Sequence, residues 1–340
     1  MQTLLGKNPQ ELKESLTQMG EPGYRAGQLS KWLYQNVPFE SMSDLPASLR
    51  EKLRRETSEG YLKMLEKRTA ADGTTKYLFE LPDGNTVETV FLPKEYGNSV
   101  CVSSQVGCAM GCRFCASTKD GLVRNLSAGE MLAQITAVAA DQRDAGRIGN
   151  VVVMGMGEPL ANEENLVRFV RLASSPEGLG ISQRALTVST CGLIPAIRRL
   201  AEEDLQITLA VSLHSARQDE REKLMPSARA NPLPELIQAA REYFEKTGRR
   251  VTFEYALIDG VNDTDADLDA LTDLLGGFPC HVNIIPLNAS GSLAAPSKRR
   301  VYAFAEALGR RGISATVRRS MGSDIEGACG QLRQRRLAQD

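Results

Sequence analysis

From Ser99 onward, short apolar runs alternate with helical patterns, and this alternation constrains the fold more than any other feature of the chain. The apolar runs are Ser99–Ser103, Asn150–Met154, Ala185–Ser189, Ile207–Leu213, Val251–Ile258, Cys280–Ile285 and Ile313–Val317. Each has the length of a buried strand. The segments between them read as helices. One is Ser127–Arg143, opened by a capping box of Ser127 and Glu130. Another runs from about Ser297 to Arg311, with Val301, Phe304 and Leu308 on its inner face. Helical crossovers make neighbouring strands parallel, and ligands then gather at the strand carboxyl ends. The pattern predicts an α/β fold, and a doubly wound sheet and a partial barrel both satisfy it.

The amino-terminal part reads differently. Asn8-Pro9 supplies an N-cap and a first-turn proline, and Leu12, Leu16 and Met19 follow at helical spacing. Gly20 to Gly23 ends that helix, a second carries Leu29, Trp32 and Leu33, and a third covers about Ala47–Thr57. Next, Tyr77–Leu81 and Thr86–Leu92 flank the turn Asp83-Gly84-Asn85, a hairpin signal. The expected division is a helical accessory domain over 1–60, a β-hairpin extension over 61–93, an α/β core over 94–322, and a carboxyl-terminal loop with a basic tail over 323–340. With 42% hydrophobic and 24% charged residues among 340, the chain can bury a sizeable core. Disordered and collagen-like classes are excluded. No apolar run approaches the roughly 18–20 residues needed to span a bilayer. The opening stretch MQTLLGKNPQELKESL lacks the long apolar segment of a secretory signal, so no membrane partner is expected and a cytoplasmic location is. Seven cysteines are too few for a disulfide scaffold and point instead to metal or redox chemistry.

Three of those cysteines, Cys108, Cys112 and Cys115, form Cys-x3-Cys-x2-Cys in a loop just after a strand. Three thiolates this close can hold three irons of a [4Fe-4S] cubane and leave the fourth iron open to a ligand. Structural zinc prefers paired Cys-x2-Cys units or histidine partners. The chain has two histidines and no second Cys-x2-Cys, so a zinc-stabilised, non-catalytic RNA-binding protein is the weaker alternative. The spacing is the signature of radical S-adenosylmethionine enzymes. Gly155-Met156-Gly157-Glu158-Pro159 follows a strand, but the third glycine of a dinucleotide loop would fall at Leu160, so that reading fails. Beside the cysteine triplet, a glycine-rich strand end instead lets the backbone approach the amino and carboxylate groups of a methionine, with Glu158 accepting from the amine.

These segments, with Tyr24–Gln28, Cys101–Cys108, Arg124-Asn125-Leu126, Ser212-Leu213-His214 and Gly327–Leu332, make the sequence similar to the RlmN/Cfr family of radical S-adenosylmethionine RNA methyltransferases over nearly its whole length. The resemblance implies a partial (βα)6 barrel. It implies cofactor contacts at Gly157, Glu158, Ser189, Ser212, Leu213, His214 and Asn288, and a [4Fe-4S] cluster on Cys108, Cys112 and Cys115. It also implies a two-stage reaction using two S-adenosylmethionine molecules per turnover. Cys329 takes a methyl group from one; the second is cleaved reductively to a radical that abstracts hydrogen from that methyl. The resulting carbon radical adds to adenine, Glu88 removes the ring proton, and Cys101 attacks Cys329 to release product with a transient disulfide. The residues alone say less. Glu88 is a polar position in an alternating hairpin, Cys101 reads as a core thiol, and Cys329 is a thiol in a glycine-rich loop. Cys191 and Cys280 read as structural.

The implied substrate is adenosine: carbon 2 at the family's position 2503 of 23S ribosomal RNA and at position 37 of some transfer RNAs, or carbon 8 in the Cfr branch. An external reductant of flavodoxin or ferredoxin type and a monomeric state are expected. Residues 298–340 carry ten basic against four acidic residues, where residues 1–60 carry eight of each. The near-neutral whole, -1, thus hides a basic end suited to phosphate contact; a solvated helix face is the plainer reading. Two stretches depart from the family pattern. Residues 116–122 match loosely, and the loop 288–296 is shorter and poorer in proline and aromatics than usual.

Overall fold

The structure, a computed structural model, describes residues 1–95, 97–287, 293–319 and 321–325. Asn288 and Cys329 therefore lie outside the described residues. Helices α1 (Pro9–Gln18), α2 (Arg25–Tyr34) and α3 (Ala47–Glu56) form the amino-terminal layer. They are bracketed by β1 (Gln2–Thr3) and β2 (Thr57–Ser58), which pair in parallel. The expected cap is present: the Asn8 side chain accepts the Glu11 N–H, and Glu11 accepts the Asn8 N–H. Leu12, Leu16, Leu29, Leu33, Leu49 and Leu53 are buried in the same core as the rest of the molecule.

Among the described residues, one ten-stranded sheet organises everything that follows. Its antiparallel part is β3 (Lys63–Thr69), β4 (Thr75–Glu80) and β5 (Thr86–Leu92). Sequence reading finds the hairpin β4–β5 but misses β3. This strand, Lys-Met-Leu-Glu-Lys-Arg-Thr, is a mostly exposed sheet edge with a bulge between Met64 and Glu66, and its charges mask a strand pattern while guarding the edge. β5 then pairs antiparallel with β6 (Asn98–Cys101), so the extension and the core share one sheet.

From β6 the strands run parallel. The ribbon β7 (Gln105–Gly107) and β8 (Leu122–Asn125) brackets the cysteine triplet, and α4 (Ala128–Asp141) leads to β9 (Ile148–Val153). Then come α5 (Glu163–Ser174), β10 (Leu186–Thr190), α6 (Ile194–Glu202) and β11 (Thr208–Ser212). The remainder is α7 (Gln218–Leu224), α8 (Leu233–Thr247), β12 (Thr252–Leu257), α9 (Asp265–Leu275), β13 (His281–Pro286), α10 (Lys298–Arg310) and β14 (Ala315–Val317). Strand order is strictly sequential, β6-β9-β10-β11-β12-β13-β14. A doubly wound sheet reverses its order at a switch point. None occurs here, so right-handed crossovers put all the helices on one side of a partial barrel of six βα units ended by β14.

The register fixes which side chains face the barrel interior. Cys101 pairs with Val90 and Val152, Val90 with Lys76, and Val152 with Thr187. Ser212 pairs with Glu254, and Glu254 with Asn283. The opposite phase faces the helices. Val151, Val153, Leu186 and Val188 are fully buried core, the Tyr77 hydroxyl donates to Asp141 at 2.6 Å, and that of Thr89 donates to Gln134 at 2.9 Å, both in α4. The inner face thus carries Lys76, Cys101, Ser189, Ser212 and Glu254, together with Glu88, two residues from Val90.

Candidate active site

The cysteine loop is held by its backbone. The Cys108 N–H donates to Gly121 O at 2.9 Å, Cys115 N–H to Cys112 O at 3.1 Å, and Gly111 N–H to Thr118 Oγ1 at 3.0 Å. Gly107 enters the loop at φ 76°, where a Cβ would sit 2.0 Å from Gly121 O, so no other residue fits. Arg113 N–H donates to Leu224 O at 3.0 Å, tying the loop to α7. Burial pushes the Cys108 thiol up to about 11 and that of Cys112 up to about 12, with neighbouring sulfurs adding to both. The three sulfurs are therefore within electrostatic range of one another. Among the described residues, no three His, Cys, Asp or Glu side chains converge on the position of one metal ion. Three thiols on one short loop are a donor set that can hold three irons of a cubane.

Above this loop lie the carboxyl ends of β9, β10 and β11. Gly155 and Gly157 pack against the chain just after β6 and the start of β7: a Cβ at Gly155 would stand 2.7 Å from Val102 O, and one at Gly157 2.6 Å from Gln105 Cβ. Close packing of the protein on itself thus already requires these glycines. Glu158 is buried, with one carboxylate oxygen accepting the Cys191 N–H at 2.7 Å and the other the Leu160 N–H at 3.0 Å. Burial pushes its carboxyl up, against these hydrogen bonds. Glu158 is therefore a strut between two strand ends, and a ligand amine would meet only its remaining lone pairs. Ser189 and Ser212 stand near the ends of β10 and β11 on the inner face, and Leu213 is fully buried.

His214 adopts φ 56°, a left-handed conformation uncommon outside glycine. Its Nδ1 accepts the Ala256 N–H at 2.9 Å, which leaves the proton on Nε2, and its ring meets Phe114 of the cysteine loop edge-on at 4.8 Å. Burial and then the nearby Arg221 pull it down to about 3, so it is neutral.

Arg221 escapes sequence reading. It is completely buried, and its guanidinium donates to four backbone carbonyls: Leu213 at 3.2 Å, Asn231 at 3.1 Å, Cys191 at 2.8 Å and Ser212 at 3.3 Å. It joins the ends of β10 and β11 behind the cysteine loop, yet in the sequence it is one of several charges on a short helix. Glu254 was also missed. One of its oxygens accepts from Asn283 at 3.0 Å, while Oε2 is buried with no hydrogen-bond partner among the described residues.

On the antiparallel side, Glu88 is buried and its Oε2 lies 3.0 Å from Lys76 Nζ, itself fully buried. The Ser103 hydroxyl donates to Glu88 O at 2.6 Å. Lys76 carries no sequence signal, since a lysine in an alternating strand reads as solvent-facing. The structure thus brings Glu88, Cys101, Gly157, Glu158, Ser189, Ser212, Leu213, His214 and the cysteine loop to one face and one set of strand ends. Cys191 and Cys280 are buried thiols. Of the basic end, Arg300 pairs with Asp265, Arg310 with Glu306 and Arg311 with Asp269, so much of α10 is a solvated, ion-paired face.

Comparisons with known proteins identify the family. The model of the Radical SAM superfamily matches residues 102–272, and that of the ribosomal RNA large subunit methyltransferase N-terminal domain matches residues 2–58. A protein of Symbiobacterium thermophilum named "Probable dual-specificity RNA methyltransferase RlmN" is 50% identical, covering 98% of this chain and 92% of its own. A Geobacillus kaustophilus protein of the same name is 49% identical over 95% of this chain and 90% of its own. The crystal structure of a radical SAM methyltransferase from Sphaerobacter thermophilus superposes with a TM-score of 0.94 at 47% identity, covering 97% of this chain and 99% of that one. Radical SAM enzymes use a [4Fe-4S] cluster and S-adenosylmethionine, and no helix among the described residues is long and apolar enough to cross a membrane. The family is one of enzymes, which displaces the non-catalytic zinc alternative, and the chain belongs to it: the RlmN family of radical SAM RNA methyltransferases.

Proposed function

We propose that this enzyme methylates carbon 2 of adenosine, at the family's position 2503 of 23S ribosomal RNA and at position 37 of some transfer RNAs. Carbon 2 lies between two ring nitrogens and is too electron-poor to attack a methyl sulfonium, so direct polar transfer is closed. When bound, the cluster and S-adenosylmethionine supply one-electron chemistry at this site. The chain's own residues do the rest. Cys108, Cys112 and Cys115 hold the cluster, and Gly157, Glu158, Ser189, Ser212, Leu213, His214 and Asn288 seat the cofactor. Cys329 accepts the methyl group as a thiolate, Glu88 takes the ring proton, and Cys101 resolves the adduct by forming a disulfide with Cys329. Two S-adenosylmethionine molecules are consumed per turnover, and a flavodoxin- or ferredoxin-like protein supplies electrons to the monomer. Residues 1–60 act as an accessory RNA-holding domain, 61–93 as the extension that presents Glu88, 94–322 as the radical core, and 323–340 as the segment that brings Cys329.

One observation carries this reading: Glu88 and Cys101 share the inner face of a single sheet, beside the strand ends that gather the predicted cofactor residues. The target base must leave its stack to reach such a recessed face. Cys329→Ala is expected to abolish product while iron content stays unchanged. Cys101→Ala is expected to leave RNA covalently attached to the protein, seen as a labelled band on a denaturing gel; free product at normal yield would exclude a resolving role.

A further inference from the structure

The inner face of the parallel half carries one polar row. Ser212, Glu254, Asn283 and Thr316 stand side by side in register on β11, β12, β13 and β14. Part of this row satisfies itself. The Asn283 amide donates to Glu254 Oε1 at 3.0 Å, and its oxygen accepts from the Thr316 hydroxyl at 3.1 Å. Glu254 Oε2 is different. It is buried with no hydrogen-bond partner among the described residues, and Ser212, its register neighbour on the other side, makes no hydrogen bond to it. The residue is only 4% exposed, a depth at which an empty carboxylate oxygen is costly. Burial pushes the carboxyl up, and the Asn283 hydrogen bond and then the charge of Arg318 offset only part of this. Asn283 needs one acceptor, which a glutamine would supply equally well. The second oxygen is the feature that packing leaves unexplained.

We propose that Glu254 is a specificity-determining residue of the S-adenosylmethionine site, its Oε2 accepting a hydrogen bond from a ribose hydroxyl of the cofactor. The inference rests on the proposed seating of the cofactor at Ser212. In that seating the methionine end belongs to the cysteine loop and to Gly157 and Glu158, just past β9. An apolar cluster lies beyond the ends of β12 and β13, where Ile258 and Met225 are buried and Val261 and Leu287 pack on them. Such a surface suits the face of a purine. Ser212 ends β11, between β9 and that cluster, with Glu254 beside it. The part of the cofactor between its methionine and its base is the ribose, whose hydroxyls are donors. An acidic side chain taking a ribose hydroxyl at a parallel sheet is also how dinucleotide sites work. Cys101, the proposed resolving thiol, lies on β6, four strands from β12 in the sheet, so the acid stands on the cofactor's side of the site.

The test is equilibrium dialysis of labelled S-adenosylmethionine against the anaerobic holoenzyme, in competition with analogues that each lack one group. In the unaltered enzyme, removing either the 2′- or the 3′-hydroxyl is expected to weaken binding about tenfold, the size of one charge-assisted hydrogen bond. Glu254→Gln keeps an acceptor for Asn283 and puts an amide N–H where the free oxygen was. It is expected to weaken S-adenosylmethionine about tenfold at unchanged iron content, and to bind the sensitive deoxy analogue no worse than the cofactor itself. A merely structural role would leave that discrimination intact. No penalty for either deoxy analogue in the unaltered enzyme, which needs no variant to fold, would overturn the proposal. Equal deoxy penalties in the two proteins would overturn it as well. So would a variant that instead loses discrimination against the analogue without the adenine amine, since that would assign Glu254 to the base. Ser212→Ala separates the two readings. Undiminished binding there would overturn the seating at β11, and the proposal with it; weakened binding there, with equal deoxy penalties in Glu254→Gln, would overturn the proposal alone.

Discussion

The two halves of the sheet build the site by different means. In the parallel half, β9 to β13, the candidate groups stand at or just past strand carboxyl ends, and backbone contacts hold them: Glu158 takes two N–H groups, and Arg221 feeds four carbonyls. In the antiparallel half, the groups sit mid-strand. Lys76 and Glu88 are an ion pair buried on the inner face; Lys76 is in register, across Val90, with Cys101, and Glu88 lies two residues from Val90 along β5. The first half is a cradle made largely of main chain, while the second is a wall of side chains. Breaking each half therefore has a distinct signature.

The largest effect is expected from the wall. Lys76→Met leaves the Glu88 carboxylate buried without its ion-pair partner, a loss of about 3–5 kcal/mol. Adding Glu88→Leu is expected to return much of that stability, read by urea denaturation. A single-variant loss below about 1 kcal/mol would mean that the pair is not a buried one in solution. In the cradle, Arg221→Met removes a donor from four carbonyls, of which Leu213 O keeps the Ser215 N–H at 2.8 Å, for about 1–3 kcal/mol per buried group left unsatisfied, reduced by relaxation. No second substitution is expected to rescue it, because the lost partners are main chain. Iron retained after reconstitution is expected to fall too, since α7 backs the cysteine loop; full iron content would separate Arg221 from that loop.

His214 gives the cradle a pH dependence. Its folded value, about 3, lies below its ordinary 6.5, so the unfolded chain gains a proton first as the pH falls. The stability it contributes is present above pH 6.5 and is lost as pH drops from there toward 3, at up to about 1.4 kcal/mol per unit. His214→Asn, an exchange its left-handed backbone tolerates, is expected to flatten the acid limb of the stability profile. An unchanged slope would place the imidazole in water. The smallest effect is expected outside both halves: removing the exposed Arg199–Glu163 pair by Arg199→Ala should leave the urea midpoint essentially unmoved.

The same contrast explains what the sequence revealed. The seven parallel strands and the capped helices are legible because buried strands and amphipathic helices leave periodic apolar marks. The triplet and Gly155–Pro159 are legible because cluster ligation and close backbone packing demand particular residues at fixed spacing. Lys76 and Arg221 are illegible for the opposite reason: charged residues on strands and short helices nearly always face water, and only the fold reveals that these do not. Edge strand β3 hides behind its charges. Glu88 and Cys101 come from the family resemblance, and the register puts both on the inner face of one sheet.

The most direct test of the central claim is nucleoside mass spectrometry after the reconstituted enzyme is incubated with methyl-labelled S-adenosylmethionine, reductant and protein-free 23S ribosomal RNA. The account predicts labelled 2-methyladenosine, lost in Cys329→Ala. Labelled 8-methyladenosine, or label in 2-methyladenosine that persists without Cys329, would contradict it.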